Sequence, residues 1–247
     1  MAKIQLLNKI SQVGLKQFND TYEIGDAITD PDAILVRSAA MHDMEFGASL
    51  KAIGRAGAGV NNIPVDRCAE EGIVVFNTPG ANANGVKELA IAALMLASRD
   101  IVGGIQWANA LTADVAKSVE KGKSAFAGNE IMGKTLGVIG LGAIGGLVAN
   151  AAAALGMNVI GCDPYITIDG AWHLSRAIQK AATYDEVFEK ADYISLHVPA
   201  TPQTKNMICA DSIAKMKPGV RIINLARADL VNAADLKAAI ADGKIAS

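Results

Sequence analysis

The chain has 247 residues, of which 51% are hydrophobic, 4% aromatic and 19% charged, and its formal net charge is −2. That length supports one large or two modest cores, and the charge balance offers no basic surface for nucleic acid. No apolar run is long enough to span a membrane, Met1-Ala2-Lys3 leads into a strand-like Ile-Gln-Leu-Leu instead of a signal peptide, and the expected location is cytoplasmic.

Along the chain, short apolar runs alternate with helical patterns, the signature of repeated β-α-β units and parallel sheets. Strands are expected at residues 3–7, 33–36, 52–55 and 73–76, with Asp30-Pro31 as one turn and Asn77-Thr78-Pro79-Gly80 closing the series. A helix follows from about Val86 to Ser98, with Val86, Leu89, Ala90, Ala93, Leu94 and Ala97 on one face. Residues 99–133 are mixed and broken by Gly103-Gly104, Gly122 and Gly128, which sets a boundary between domains 1–98 and 99–247. A second series places strands at 135–139, 158–163, 192–196 and 220–225. Asn232 and Gly243 are the expected cap and stop of a last helix over 232–242, after which Lys244-Ile245-Ala246-Ser247 begins another strand. Three scattered cysteines, Cys68, Cys162 and Cys209, suit neither a disulfide framework nor a zinc site, so no metal is expected and they read as small buried residues.

Residues 138–145 read Val-Ile-Gly-Leu-Gly-Ala-Ile-Gly, between an apolar strand and an alanine-rich helix over 146–155. In a dinucleotide-binding turn, Gly140 permits the sharp exit from the strand, Gly142 lets backbone approach a pyrophosphate, and Gly145 lets the helix pack closely. The helix N-terminus adds unpaired N–H groups and a positive dipole end. Asp163 follows Gly145 by 163 − 145 = 18 positions at the end of the next strand, where a carboxylate accepts from ribose hydroxyls and repels the extra phosphate of NADP. The cofactor expected is therefore NAD; the alternative is a purely structural glycine turn with Asp163 as a solvated strand end.

Ligands of parallel sheets bind at the carboxyl ends of strands. Polar residues stand there: Arg37 and Ser38, Gly57 to Gly59, His197, and Arg227. Two sets of such strand ends are expected to line a cleft for a small anionic substrate. His42 and His173 have no motif around them and read as surface residues.

Six ordered segments carry a resemblance: Val-Arg-Ser at 36–38, Gly-Arg-Ala-Gly-Ala-Gly-Val-Asn-Asn-Ile at 54–63, Gly-Ile-Val-Val-Phe-Asn-Thr-Pro-Gly at 72–80, the turn segment at 133–145, His-Val-Pro-Ala-Thr at 197–201, and Met-Lys-Pro-Gly-Val-Arg-Ile-Ile-Asn-Leu-Ala-Arg at 216–227. Over nearly its whole length the chain resembles the D-isomer-specific 2-hydroxyacid dehydrogenases. The resemblance implies two doubly wound parallel-sheet domains, a flavodoxin-like substrate domain and a Rossmann NAD-binding domain. It also implies, for the complete enzyme, oxidation of D-3-phosphoglycerate by NAD at the entry to serine biosynthesis. Two other readings stay open: another D-2-hydroxyacid such as glycerate or lactate as substrate, and an NAD-sensing interaction protein of corepressor type.

By resemblance, Arg227 grips the substrate carboxylate and keto oxygen, and Ala58, Gly59 and Val60 receive the carboxylate. Arg37, with its neighbour Ser38, and Arg55 match positions suited to a phosphate, although ion pairs at a strand end would also account for both arginines. Ala143 and Ile144 match the amides that meet the pyrophosphate, His197, Val198 and Pro199 the wall of the adenosine pocket, and Leu225 and Ala226 the cofactor side of the last strand end. A homodimer or tetramer is implied, with residues 99–133 and the apolar Ile101, Val102, Ile105 and Trp107 reaching a partner, and closure near residue 98 is expected to exclude water.

Two departures stand out. Ala228-Asp229 replaces the glycines usual after Arg227, and the strand begun at Lys244 is unfinished. In the family that strand supplies an aspartate for the nicotinamide carboxamide, and the glutamate and catalytic histidine follow it, so His197 is not assigned catalysis. The expectation is that these 247 residues are a fragment or ordered part of a longer enzyme, binding NAD weakly and turning over little by themselves. The substrate domain would lack its C-terminal return segment, and the NAD domain would be incomplete at its end.

Overall fold

The computed structural model describes all 247 residues, which form two compact units, Met1–Asn82 and Ala83–Ser247. The first unit contains β1 (Ala2–Leu6), α1 (Gln12–Leu15), β2 (Tyr22–Gly25), β3 (Ala33–Val36), β4 (Ala52–Arg55), α2 (Val65–Glu70) and β5 (Val74–Phe76). Its five strands are all parallel in the order β2-β1-β3-β4-β5, so the strand order reverses at β1 and the crevice between β1 and β3 lies at the switch point. Short β-branched runs fill one face: Ile34, Val36 and Ile53 pack with Met41, Leu50, Ile63, Cys68 and Ile73. Register aligns Leu35, Gly54 and Phe76 in a row on the opposite face. That face is only partly covered, since Val74 is 53% and Phe76 61% exposed. With no side chain at Gly54, the row and Ile10 line a hollow of about 180 Å³.

The second unit starts with α3 (Ala83–Ser98), α4 (Ile101–Asn109), α5 (Val115–Gly122) and a 3-10 turn at Lys123–Phe126. It continues through β6 (Thr135–Ile139), α6 (Gly145–Ala154), β7 (Asn158–Cys162), α7 (Ile168–Trp172), β8 (Ile178–Lys180), α8 (Tyr184–Lys190) and β9 (Tyr193–Leu196). The last elements are α9 (Ala210–Lys215), β10 (Arg221–Asn224), a 3-10 turn at Ala228–Leu230 and α10 (Ala233–Ala241). The parallel order β10-β9-β6-β7-β8 is that of a Rossmann sheet, reversing at β6. Alternation along β6, β7 and β9 fills both faces. Leu136, Val138, Val159 and Tyr193 pack against Ala90 and Leu94 of α3 and Val148, Ala149 and Ala152 of α6. Ile139, Ile160, Ile194 and Leu196 pack against Val187 and Phe188 of α8 and Ile213 of α9.

The units part between Asn82 and Ala83, whereas the sequence suggested residue 98; the displaced segment is α3. Its C-terminal end is locked to the second unit. Ser98 Oγ donates to the Leu94 carbonyl and pairs with the buried Tyr193 hydroxyl at 2.8 Å. Arg221 Nε donates to the Ala97 carbonyl at 2.7 Å while its guanidinium lies over the Tyr193 ring. Leu89, placed on the inner face by its spacing, is 57% exposed, because the buried positions run through Ala83, Ala90, Leu94 and Ser98. At the other end, buried Ile245 lies beside Val220, with Ala246 N donating to Val220 O and Ile222 N to Ser247 O, so 244–247 extends the sheet next to β10.

Candidate functional site

The second unit's candidate site lies at the crevice between β6 and β9. Gly140 N donates to Cys162 O at 2.9 Å and His197 N to Ile139 O at 2.8 Å, so the ladder continues just past the strand ends. Gly140 then turns out of the sheet at φ +88, a conformation that favours glycine. A Cβ there would meet the His197 carbonyl oxygen at 2.7 Å, and one at Gly145 would collide with the Gly140 carbonyl. Both positions are closed by backbone, which does not yield. At Gly142 a Cβ would meet nothing within 4 Å: the turn is bare on that side and open to a ligand.

The amides of this turn divide by use. Leu141 N donates to Asp163 Oδ2 at 2.8 Å, Gly146 N to Gly142 O at 3.0 Å and Val148 N to Ile144 O at 3.0 Å. The N–H groups of Ala143 and Ile144, at the start of α6, have no acceptor in the protein. Unpaired amides at the positive end of a ten-residue helix form a cradle for a diphosphate, and the residues present fit that group.

Asp163 braces the cradle. Its Oδ2 holds Leu141 N and its Oδ1 accepts from Tyr165 N at 2.9 Å. An ionised carboxylate has about four lone-pair positions, so two remain for ribose hydroxyls. The sequence motif does not reveal this second duty, because the bond links a strand end to a turn 22 residues earlier.

His197 stands under the turn. Its ring Nε2 lies 2.8 Å from Ser195 Oγ, and its own Cβ borders Gly145. Burial pushes the imidazole from 6.5 down to about 4, so it is neutral at neutral pH. Val198 is half-buried and packs against the core, while Pro199 is exposed. Beyond β10, Asn224 Oδ1 accepts from Ala226 N and Asn224 Nδ2 donates to Arg227 O, which shapes the 225–227 loop. Leu225 and Ala226 are half-buried in it; the Arg227 side chain is exposed, with Nη1 donating to Ala226 O at 2.9 Å. Ala228-Asp229 continues as a 3-10 turn, and Asp229 O accepts from Asn206 N.

In the first unit, Arg37 and Ser38 lie just past the carboxyl end of β3, Arg55 is the last residue of β4, and Ala58, Gly59 and Val60 follow it in the next loop. Their loops are held by Asn8, which lies outside the sequence motifs, and by Asn62, Asn77 and Thr78, which lie within them without an assigned role. Asn8 Oδ1 accepts from Arg37, Ser38 and Ala39 N, and Asn62 Nδ2 donates to Ala39 O. Asn77 Nδ2 donates to Ala58 O, and Thr78 Oγ1 accepts from Gly57 N at 2.7 Å. The available signal was their position, polar residues immediately after apolar strands. His42 and His173 are exposed as expected, and Cys68 and Cys162 buried, whereas Cys209 is only half-buried. No cluster of three or more His, Cys, Asp or Glu side chains is arranged to hold a metal ion.

Comparison with known proteins agrees with this geometry. The profile described as D-isomer specific 2-hydroxyacid dehydrogenase, NAD binding domain, matches residues 91–247. D-3-phosphoglycerate dehydrogenase of Synechocystis is 39% identical over 98% of this chain and 42% of its own length. Hydroxypyruvate reductase of Thermotoga maritima is 37% identical over 97% of this chain and 75% of its own. The NAD+-bound 3-phosphoglycerate dehydrogenase of Entamoeba histolytica superposes with a TM-score of 0.74 at 28% identity, covering 98% of this chain and 77% of that one. The chain thus spans less than half the length of the Synechocystis relative.

Proposed function

We propose that this chain, which belongs to the D-isomer specific 2-hydroxyacid dehydrogenase family, is the part of an NAD-dependent enzyme that holds cofactor and substrate, and that the whole enzyme oxidises D-3-phosphoglycerate to 3-phosphohydroxypyruvate at the entry to serine biosynthesis. The second unit is an NAD-binding domain. The observation that carries the reading is the turn itself: Gly142 bare, Ala143 and Ile144 amides unpaired, and Asp163 at the neighbouring strand end.

NAD, when bound, accepts the hydride that leaves C2 of the hydroxy acid. The chain's own residues do the rest of the positioning. Amides of Ala143 and Ile144 receive the diphosphate, with Gly140, Gly142 and Gly145 giving it room. Asp163 takes the adenosine ribose hydroxyls, its charge disfavouring a 2′-phosphate. His197, Val198, Pro199, Leu225 and Ala226 enclose the nucleotide. In the second unit the Arg227 guanidinium fork is suited to the substrate carboxylate and the oxygen on C2, and in the first unit the Ala58, Gly59 and Val60 amides are suited to a carboxylate. Arg37 and Arg55, with the Ser38 hydroxyl, hold the phosphate.

The hydroxyl proton requires a base. A neutral imidazole bonded to Ser195 and held at about 4 is a poor one, and the family resemblance assigns that task beyond residue 247. Exposed Ile101, Val102, Ile105 and Val115 on α4 and α5 support a homodimer, which light scattering would check. No helix is long and apolar enough to cross a membrane.

The decisive experiment is a steady-state assay of the full-length protein with NAD and D-3-phosphoglycerate, D-glycerate and D-lactate. A clear preference for the phosphorylated acid is expected; preference for glycerate, as the hydroxypyruvate reductase relative invites, would replace the substrate and leave the cofactor half of the reading intact.

A further inference from the structure

Three successive backbone amides converge on one side-chain oxygen in the first unit. Arg37 N, Ser38 N and Ala39 N donate to Asn8 Oδ1 at 2.8, 2.9 and 3.1 Å. Asn8 sits just past β1 and these amides just past β3, adjacent strands on either side of the reversal in strand order. Consecutive N–H groups aimed at one point form an anion-type nest. Here the protein fills it with a neutral amide oxygen, which uses the donors without placing a charge beside Arg37.

The bonding does not stop there. The Arg37 carbonyl, the other side of the same residue, accepts from Arg55 Nε at 3.1 Å. The Arg55 guanidinium lies over Gly57, whose φ of +148 favours glycine. Gly57 N is in turn held by Thr78 Oγ1 at 2.7 Å. On the far side, Asn62 Nδ2 donates to Ala39 O at 2.8 Å. A continuous chain of bonds therefore runs from Asn8 through the Arg37 backbone to the Arg55 side chain.

We propose that Asn8 is a positioning residue for anion recognition: by filling the 37–39 nest it fixes the Arg37 backbone, whose carbonyl orients the Arg55 guanidinium for the phosphate of the substrate. The inference rests on the assignment of Arg37 and Arg55 to that phosphate. A carboxylate at position 8 keeps the acceptor and its geometry; a methyl group leaves three amides without it and frees the loop.

The test uses the full-length enzyme with N8A, N8D, R37A and R55A, assayed on D-3-phosphoglycerate and on D-glycerate, with melting curves to establish folding. N8A is expected to raise KM for the phosphorylated acid about tenfold, with kcat and KM for NAD within about twofold and glycerate kinetics unchanged, whereas N8D, which keeps the acceptor but sets a negative charge beside Arg37, should keep the loop ordered without restoring the wild-type KM. Hydrogen exchange at the 37–39 amides should accelerate in N8A and stay slow in N8D. If R37A and R55A raise KM but N8A does not, Asn8 has no positioning role. Equal damage by N8A to both acids and to NAD would mark it as merely structural and also overturn the proposal. Indifference of the phosphorylated acid to R37A and R55A would remove the phosphate assignment itself, and the role of Asn8 with it.

Discussion

Two parallel five-stranded sheets in one chain reach order by different means. The second is packed on both faces, with α3 and α6 on one side and α8 and α9 on the other, and its covered strand positions are apolar apart from Ser195. The first has one well-filled face; the other carries the row Leu35, Gly54 and Phe76 and stays partly open. Its strand-end loops are fixed by polar side chains bonded to backbone: Asn8, Asn62, Asn77 and Thr78. Tight apolar packing produces a turn whose geometry is set by van der Waals contact, as at Gly140 and Gly145. Side-chain bonds to loop backbone produce a surface that can be retuned one residue at a time.

Four experiments probe that contrast. The largest effect belongs to G145V: its side chain would enter the Gly140 carbonyl, and NAD affinity measured by calorimetry should fall more than about 100-fold. Retained binding would mean that packing does not set the turn. Next, L136A removes a fully buried side chain from the two-sided sheet and should cost about 3 to 4 kcal/mol in denaturant unfolding. A loss below about 1 kcal/mol would show that the second core yields as readily as an open face.

The third is pH. The folded His197 titrates at about 4 against 6.5 for the free side chain, so between those values the unfolded chain binds more protons. Its contribution to stability is therefore complete above about pH 6.5, declines as pH falls toward 4, and amounts to at most about 3 kcal/mol. Melting curves of wild type and H197N across that window should converge at the acid end; parallel curves would place the imidazole in solvent. The smallest effect is G54A. Its Cβ would meet only the Leu35 Cδ2 tip at 2.9 Å, beside the hollow, so stability should change by less than about 1 kcal/mol. A larger loss would mean that the open face of the first sheet is as tightly determined as the second.

Most strands were legible because parallel strands between helices are short β-branched runs ended by turn residues: β3, β4 and β6 fall on the residues expected, and α6 and α10 within one residue at each end. The missed strands, β2 (Tyr-Glu-Ile-Gly) and β8 (Ile-Gln-Lys), lie at sheet edges, where partial exposure removes the apolar run that gives a strand away. The dinucleotide turn was readable for a local reason, that each glycine answers a steric demand within a few residues of itself.

Sequence alone determined the α/β class and the glycine turn, since period, propensity and backbone freedom are properties of neighbouring residues. Tertiary structure decided that α3 belongs with the second sheet, that Asp163 braces the turn as well as facing it, that His197 is held neutral, and that Asn8 governs a loop 29 residues away. Each of these depends on a hydrogen bond or a burial between segments distant in the chain, and one-dimensional order does not encode which distant groups will be brought within 3 Å.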